Sequence, residues 1–198
     1  MTRRQALLRR LASAQQGAAA VEFAIVAPVF LLLLLGIFDI GQMAYLKAVL
    51  TGAVEQAARS GTLEAANTTT ADDFVKNAIK PIMPSATFTI TRKSYYDFND
   101  VARPEKFTDN DHDGTCDHGE PFVDENRSGI WDADVGKTGN GGAGDVVLYT
   151  VTMTYKPIFT LTTMGNYNGS RTLTAVGVRK NQPFATQTAY GLGTGTCL

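Results

Sequence analysis

The chain has 198 residues, a formal net charge of −1 and an apolar share of 44%. This length accommodates one globular domain beside a short additional segment. Residues 1–17 contain four arginines and no acid, so the remainder has 14 basic and 19 acidic residues. That acidic balance argues against nucleic acid as a partner.

An apolar stretch follows the basic amino terminus. Residues Ala18–Phe38 carry one charge, Glu22, and a helix of this length is about 31 Å long, close to the roughly 30 Å hydrocarbon core of a membrane. The basic flank predicts a cytoplasmic amino terminus, with the rest of the chain across the membrane. A cleaved signal peptide is the alternative, but this run exceeds a typical h-region and its far end lacks a small-x-small cleavage site. We therefore predict a single-pass transmembrane helix.

The residues at the start of this stretch form a second pattern. Gly17 precedes Ala18, and Glu22 and Phe23 stand before the main apolar run. This resembles the prepilin processing site of tight-adherence (Flp-type) pilins, and the chain is similar to a TadE-like pseudopilin or minor pilin. The resemblance implies that a prepilin peptidase cuts between Gly17 and Ala18, and that Glu22 then pairs with the amino terminus of a neighbouring subunit. The alternative is an uncleaved anchor with Glu22 at the membrane interface.

Helical spacing continues beyond the membrane stretch. Apolar residues recur every three or four positions through 39–66, which predicts one long helix, half in lipid and half packed on a domain. Within it, Glu55 and Arg59 form an i,i+4 pair of favourable orientation. A second helix is predicted to begin after Thr70 as its cap and to end before Pro81.

Later segments alternate with a period of two, which predicts strands. The strands are expected at Ala86–Tyr96, Val146–Tyr155 and Arg171–Arg179. Because their apolar face needs a cover, we predict an α+β fold in which the transmembrane helix continues into a long helix packed on a small antiparallel sheet. The sequence from Arg179 to Phe184 also resembles the family's closing sequence, with an inserted lysine and a glutamine in place of the acid.

The predicted organisation has four parts. They are a basic cytoplasmic leader at 1–17, a transmembrane helix at 18–38, an extracytoplasmic pilin-like domain at 39–184 with an acidic insertion at 107–136, and a tail at 185–198. The tail is expected to be flexible unless Cys197 anchors it. Cys116 and Cys197 are the only cysteines, and an oxidising compartment favours a bond between them over two free thiols.

The acidic insertion contains the pattern of a calcium loop. Numbered as a twelve-residue EF-hand loop, residues 109–120 place acids at positions 1, 3, 5, 9 and 12 and glycine at position 6. The predicted ligands are Asp109, Asp111, Asp113, the carbonyl of Thr115, Asp117 and Glu120. Pro104 and Pro121 leave no room for the helices of a true EF-hand, so we expect an EF-like loop alone.

A second, incomplete loop follows at 124–132. Its predicted ligands are Asp124, Asn126, Ser128, the carbonyl of Ile130 and Asp132. Position 12 is Val135, so closure of this loop requires Asp134 or an acid from elsewhere in the chain. For both loops, the alternative is a solvated acidic segment with Asx turns.

Other chemistries have less support. His112, His118 and Cys116 suggest zinc, but they lack a fourth ligand, and oxidation of Cys116 would remove the thiolate. Nucleophile, phosphate-loop and metalloprotease motifs are absent from the sequence, so an enzyme is not predicted.

The sequence therefore predicts a TadE-like pilus assembly component in the cytoplasmic membrane, with a calcium-stabilised extracytoplasmic domain. The resemblance implies other pilin subunits, a prepilin peptidase and the inner-membrane assembly machinery as partners. The alternative is an unprocessed, membrane-anchored calcium-binding adhesion or interaction domain outside a filament.

Overall fold

The computed structural model describes residues 16–60, 68–158, 169–182, 186–187, 191 and 193–198. The chain divides into two compact units, Met1–Ala44 and Tyr45–Leu198.

The first unit contains the amino-terminal part of helix α1 (Gln16–Ser60), which runs through Pro28 without interruption. Large apolar side chains such as Phe23, Val29 and Leu33 are more than half exposed there. Within the described residues, α1 is the one helix long and apolar enough to cross a membrane. It is therefore a candidate membrane anchor.

In the second unit, the carboxyl-terminal part of α1 has a buried face. Leu46, Leu50 and Val54 follow one another at four-residue spacing and are fully buried, as expected for one stripe of an amphipathic helix. The described helix ends at Ser60, and the predicted continuation to residue 66 lies outside the described residues.

Helix α2 (Thr68–Ile79) covers the same core. Ala71, Val75 and Ile79 are its buried residues. The predicted start of this helix, after Thr70 as its cap, is three residues late, because the described helix already includes Thr68. The end of α2 before Pro81 agrees with the prediction, since proline lacks the amide hydrogen that a continuing helix needs.

A four-stranded antiparallel sheet completes the core, in the order β3-β1-β4-β5. Its strands are β1 (Thr87–Tyr95), β3 (Lys137–Thr138), β4 (Val146–Tyr155) and β5 (Arg171–Lys180). Apolar side chains of β4 alternate into the core while its threonines are half-buried on the opposite face. The α+β fold is confirmed, and the two-residue strand β3 is the element of this sheet that the sequence did not predict.

Strand β5 packs closely on α1 within the second unit. A Cβ atom added at Gly177 would lie 2.8 Å from the Cβ of Ala58, so the strand approaches the helix more closely than a larger residue permits. Glu55 of α1 pairs with Arg179 of β5. This long-range ion pair ties the helix to the sheet, and the predicted pairing of Glu55 with Arg59 stays a prediction.

Two short strands lie outside this sheet. Strand β2 (Pro121–Asp124) pairs antiparallel with β6 (Gly193–Thr196). The second sheet therefore brings the end of the chain beside the acidic insertion.

Candidate metal centre

The first acidic loop folds around its first carboxylate. The oxygens of Asp109 accept hydrogen bonds from the backbone amides of His112 at 2.6 Å and Gly114 at 3.0 Å. Gly114 has a φ of +82°, a left-handed conformation that glycine adopts without steric cost. The sharp turn thus falls at position 6, as the calcium-loop pattern requires.

The acids of this loop converge on a small volume. Ligand atoms of two overlapping triads lie within 4.8 Å of one another, and the triads are Asp109 with Asp111 and Glu120, and Asp111 with Asp113 and Asp117. The pKa of Asp117 is raised by local desolvation and by the negative charge of the neighbouring carboxylates. A cation placed among these oxygens would relieve that repulsion.

Glu120 closes the first loop from position 12. Its carboxylate accepts hydrogen bonds from the amide of Asn110, at position 2, at 2.6 Å and from that of Asp117, at position 9, at 3.3 Å. The residue is only 3% exposed. The predicted acids of the first loop are therefore together.

The second loop repeats the backbone of the first. Asp124 accepts from the amides of Ser128 at 3.0 Å and Gly129 at 2.9 Å, and Asn126 Oδ1 also accepts from the amide of Ser128, at 2.8 Å. Gly129 has a φ of +84° at position 6. The hydroxyl of Ser128 donates to Asp132 at 2.6 Å, and Asn126 Nδ2 donates to the same carboxylate at 2.8 Å. Three of the predicted side-chain ligands of this loop therefore lie in contact.

A residue that sequence reasoning missed, Glu105, closes the second loop. Its carboxylate accepts from the amide of Glu125, at position 2, at 2.8 Å and from that of Asp132, at position 9, at 3.1 Å. These are the loop positions that bind Glu120 in the first loop. Asp134, the nearer acid in sequence, is instead paired with Lys93 at 2.6 Å.

Long-range contacts hold Glu105 in this place. Its amide donates to the carbonyl of Asp132 at 2.9 Å, and Trp131 Nε1 donates to the Glu105 carbonyl at 3.0 Å. Because this acid comes before the first loop in the chain, no motif spacing within the second loop identifies it.

Glu105 is almost completely buried, with 1% of its surface exposed. Burial raises the pKa of its carboxyl group, and the nearby carboxylate of Asp124 adds to this rise, while backbone amides of the second loop oppose it. A buried carboxylate beside another acid is stabilised by a bound cation.

The end of the chain is attached to both loops. A disulfide joins Cys116, at position 8 of the first loop, to Cys197, with 5.8 Å between their Cα atoms. The amide of Gly191 donates to the carbonyl of Glu125 in the second loop at 3.1 Å. The alternative of a flexible tail therefore does not hold for the described residues from 193 to 198.

The zinc interpretation loses its thiolate, because Cys116 is in the disulfide. In the part of the chain that the structure describes, the clusters able to hold a metal consist of carboxylates. Oxygen donors of this kind suit calcium or magnesium better than zinc.

The amino-terminal candidate residues lie at the start of α1. Gly17, Ala18, Glu22 and Phe23 are exposed there. Residues 17–59 match the family model described as TadE-like protein. This segment is TadE-like.

The TadE-like segment covers the candidate anchor and most of the helix that continues from it, and it ends before the sheet and the acidic loops. The match is therefore a similarity of this long helix to TadE-like proteins. Searches of curated proteins and of solved structures gave no match.

Proposed function

We propose that the chain is a TadE-like pseudopilin or minor pilin that acts in assembly of the tight-adherence pilus. The observation that carries this proposal is the family match over residues 17–59, on a helix whose apolar side chains are exposed. The basic flank favours insertion in the cytoplasmic membrane with the amino terminus inside. The role is structural, with other pilin subunits and the inner-membrane assembly machinery as partners.

In this proposal a prepilin peptidase removes residues 1–17 before assembly. The test is the intact mass of the protein extracted from membranes of cells that contain the peptidase. We expect the mass of residues 18–198, and we expect Gly17→Val to retain the full-length mass because the larger side chain blocks the cleavage position. A full-length mass for the unaltered chain would favour a permanently anchored adhesion or interaction domain.

Glu22 tests assembly separately from cleavage. Glu22→Ala and the closer analogue Glu22→Gln should both be processed, yet both should enter filaments poorly, because neither can pair with the positively charged amino terminus of a neighbour. Filament content is measured by comparing sheared surface fractions with membrane fractions. Normal incorporation of both variants would contradict the pairing.

We further propose that each acidic loop binds one calcium ion and that the ions stabilise the extracytoplasmic domain. The first ion takes the side-chain oxygens of the first loop, with Glu120 closing it, and the second takes those of the second loop, with Glu105 closing it. The contacts of these two glutamates with positions 2 and 9 of their loops support this pairing. Extracellular modules of this class bind calcium at about 10⁻⁴–10⁻³ M.

Calorimetric titration of the full chain in detergent tests both sites. We expect two calcium ions per chain, one after Glu120→Gln and one after Glu105→Gln, because an amide cannot act as a bidentate anionic ligand. Asp73→Asn is a matched control, since Asp73 is an exposed acid of α2 paired with Lys76, and it should leave two. Unchanged stoichiometry in both glutamate variants would contradict the assignment.

A further inference from the structure

The disulfide lies inside the first loop rather than beside it. Cys116 occupies position 8, between Thr115, whose carbonyl is the predicted ligand at position 7, and Asp117 at position 9. A constraint on the backbone of Cys116 therefore also restricts the two adjoining ligand positions.

Cys197, the second cysteine of the disulfide, forms backbone hydrogen bonds with Glu120 and with the residue before it. The amide of Cys197 donates to the carbonyl of Glu120 at 2.8 Å, and the amide of Gly119 donates to the carbonyl of Cys197 at 3.1 Å. Immediately before Cys197, the chain forms β6, and β6 pairs with β2, the strand that directly follows Glu120. The tail thus fixes the backbone on both sides of the Glu120 side chain.

We infer that calcium binding at the first loop and the Cys116–Cys197 disulfide are coupled, so that each stabilises the other. This inference rests on the calcium site proposed above. The oxidised tail holds positions 8 and 12 at the separation that the folded loop needs, and calcium in turn holds the loop in the arrangement that keeps the two cysteines together. Because coupling between two equilibria is reciprocal, both effects have the same magnitude.

The oxidation step itself is a thiol–disulfide exchange. Two cysteine thiols lose two protons and two electrons as the sulfur–sulfur bond forms, and a small-molecule disulfide such as oxidised glutathione accepts them and becomes two thiols. Coupling factors between linked sites are commonly about 5–150-fold. A tenfold effect corresponds to a shift of about 30 mV in the reduction potential of the cysteine pair.

The experiment uses the full chain in detergent, and it measures both effects: that of the disulfide on calcium affinity and that of calcium on the reduction potential. Calcium affinity is titrated in the oxidised chain, in the chain reduced with dithiothreitol, and in a Cys116→Ser/Cys197→Ser variant. We expect the dissociation constant of one of the two ions to rise at least fivefold in the latter two. The reduction potential, set with glutathione buffers, should fall on addition of calcium by the equivalent amount.

Glu120→Gln is the matched variant, because it keeps both cysteines while removing the closing carboxylate. Its reduction potential should not respond to calcium, whereas that of Glu105→Gln, altered in the second loop, should still respond. If the reduced chain unfolds, the rate at which dithiothreitol reduces the folded oxidised chain gives the same information. We expect calcium to slow that reaction at least fivefold.

The outcomes separate the two proposals. An oxidised chain that binds no calcium would overturn both the site and the coupling. Calcium binding that is equal in the oxidised and reduced chains, with a reduction rate that does not respond to calcium, would overturn the coupling alone.

Discussion

The two acidic loops use one backbone arrangement with two kinds of closure. In each loop, an aspartate at position 1 accepts amide hydrogen bonds at the turn, and glycine at position 6 has a positive φ. The first loop is closed by its own twelfth residue, Glu120, and the second by Glu105 from an earlier segment of the chain. The two loops therefore have similar local structures. They differ in whether the closing glutamate comes from the loop itself or from another segment of the domain.

This difference determines what each loop depends on. The first loop carries all of its proposed calcium ligands in its own sequence and is fixed by the disulfide to the tail. The second loop is complete only when the segment around Glu105 is folded against it through Trp131 and Asp132. Changes in distant packing should therefore affect the second loop more than the first.

Removal of calcium should give the largest effect. With calcium at about 100 times the dissociation constant, one site contributes about 2.7 kcal/mol, so two sites contribute about 5 kcal/mol. Addition of a chelator should then lower the midpoint of thermal unfolding by roughly 10–20 °C in a domain of this size. The measurement is thermal unfolding followed by circular dichroism, with and without chelator.

The glutamate variants divide this effect between the loops. Glu120→Gln and Glu105→Gln should each lose about half of the chelator-sensitive shift, and Asp73→Asn should lose none. If one glutamate variant removed the whole shift and the other removed none, the second loop would not be an independent site.

The fold could be predicted from the sequence where the signal was periodic and local. The alternation of β4 and the stripe containing Leu46 and Leu50 identified a core face directly, and the structure buries both. Strand β3 has two residues, too few to show a period. Strand β6, with the sequence GTGT, has no apolar alternation, and it pairs because β2 lies beside it.

In the candidate site, too, the sequence predicts the residues of a continuous motif and misses the residue that another segment contributes. The first loop satisfies every position of a known spacing, so its acids were found from sequence alone. Glu105 could not be found in this way, because its place depends on hydrogen bonds to residues that follow it by 20 positions or more, including Glu125 and Trp131. A spacing rule describes ligands on one continuous loop, whereas a ligand supplied by another segment requires the folded chain.

An ion pair that attaches the Glu105 segment to the second loop should give an intermediate, pH-dependent effect. Arg103 binds both oxygens of Glu125, at 3.0 and 2.7 Å, and this hydrogen bonding lowers the pKa of the Glu125 carboxyl group despite the opposing effect of burial. A carboxyl group with a lowered folded pKa stabilises the fold above its unfolded pKa of about 4.3 and loses that contribution as pH falls through the folded value.

We therefore expect Glu125→Gln to lower the free energy of unfolding by about 1–2 kcal/mol at pH 7, with a smaller difference at pH 3. Urea unfolding in chelator measures this without a contribution from calcium. A difference that is equal at both values of pH would show that packing, rather than the ion pair, causes the loss.

The smallest expected effect separates the two kinds of closure most directly. Trp131 Nε1 donates to the Glu105 carbonyl, and its ring packs edge-to-face on Phe107 with 5.7 Å between ring centres. Trp131→Phe keeps an aromatic ring and removes the donor, at a cost of about 1 kcal/mol. Because that donor fixes Glu105 alone, calcium affinity should fall about fivefold at the second loop and remain unchanged at the first.

Titration of this variant in the Glu120→Gln background isolates the second site, and titration in the Glu105→Gln background isolates the first. An equal loss in both backgrounds would mean that Trp131 supports the two loops together, and that the second loop does not depend more on distant packing than the first.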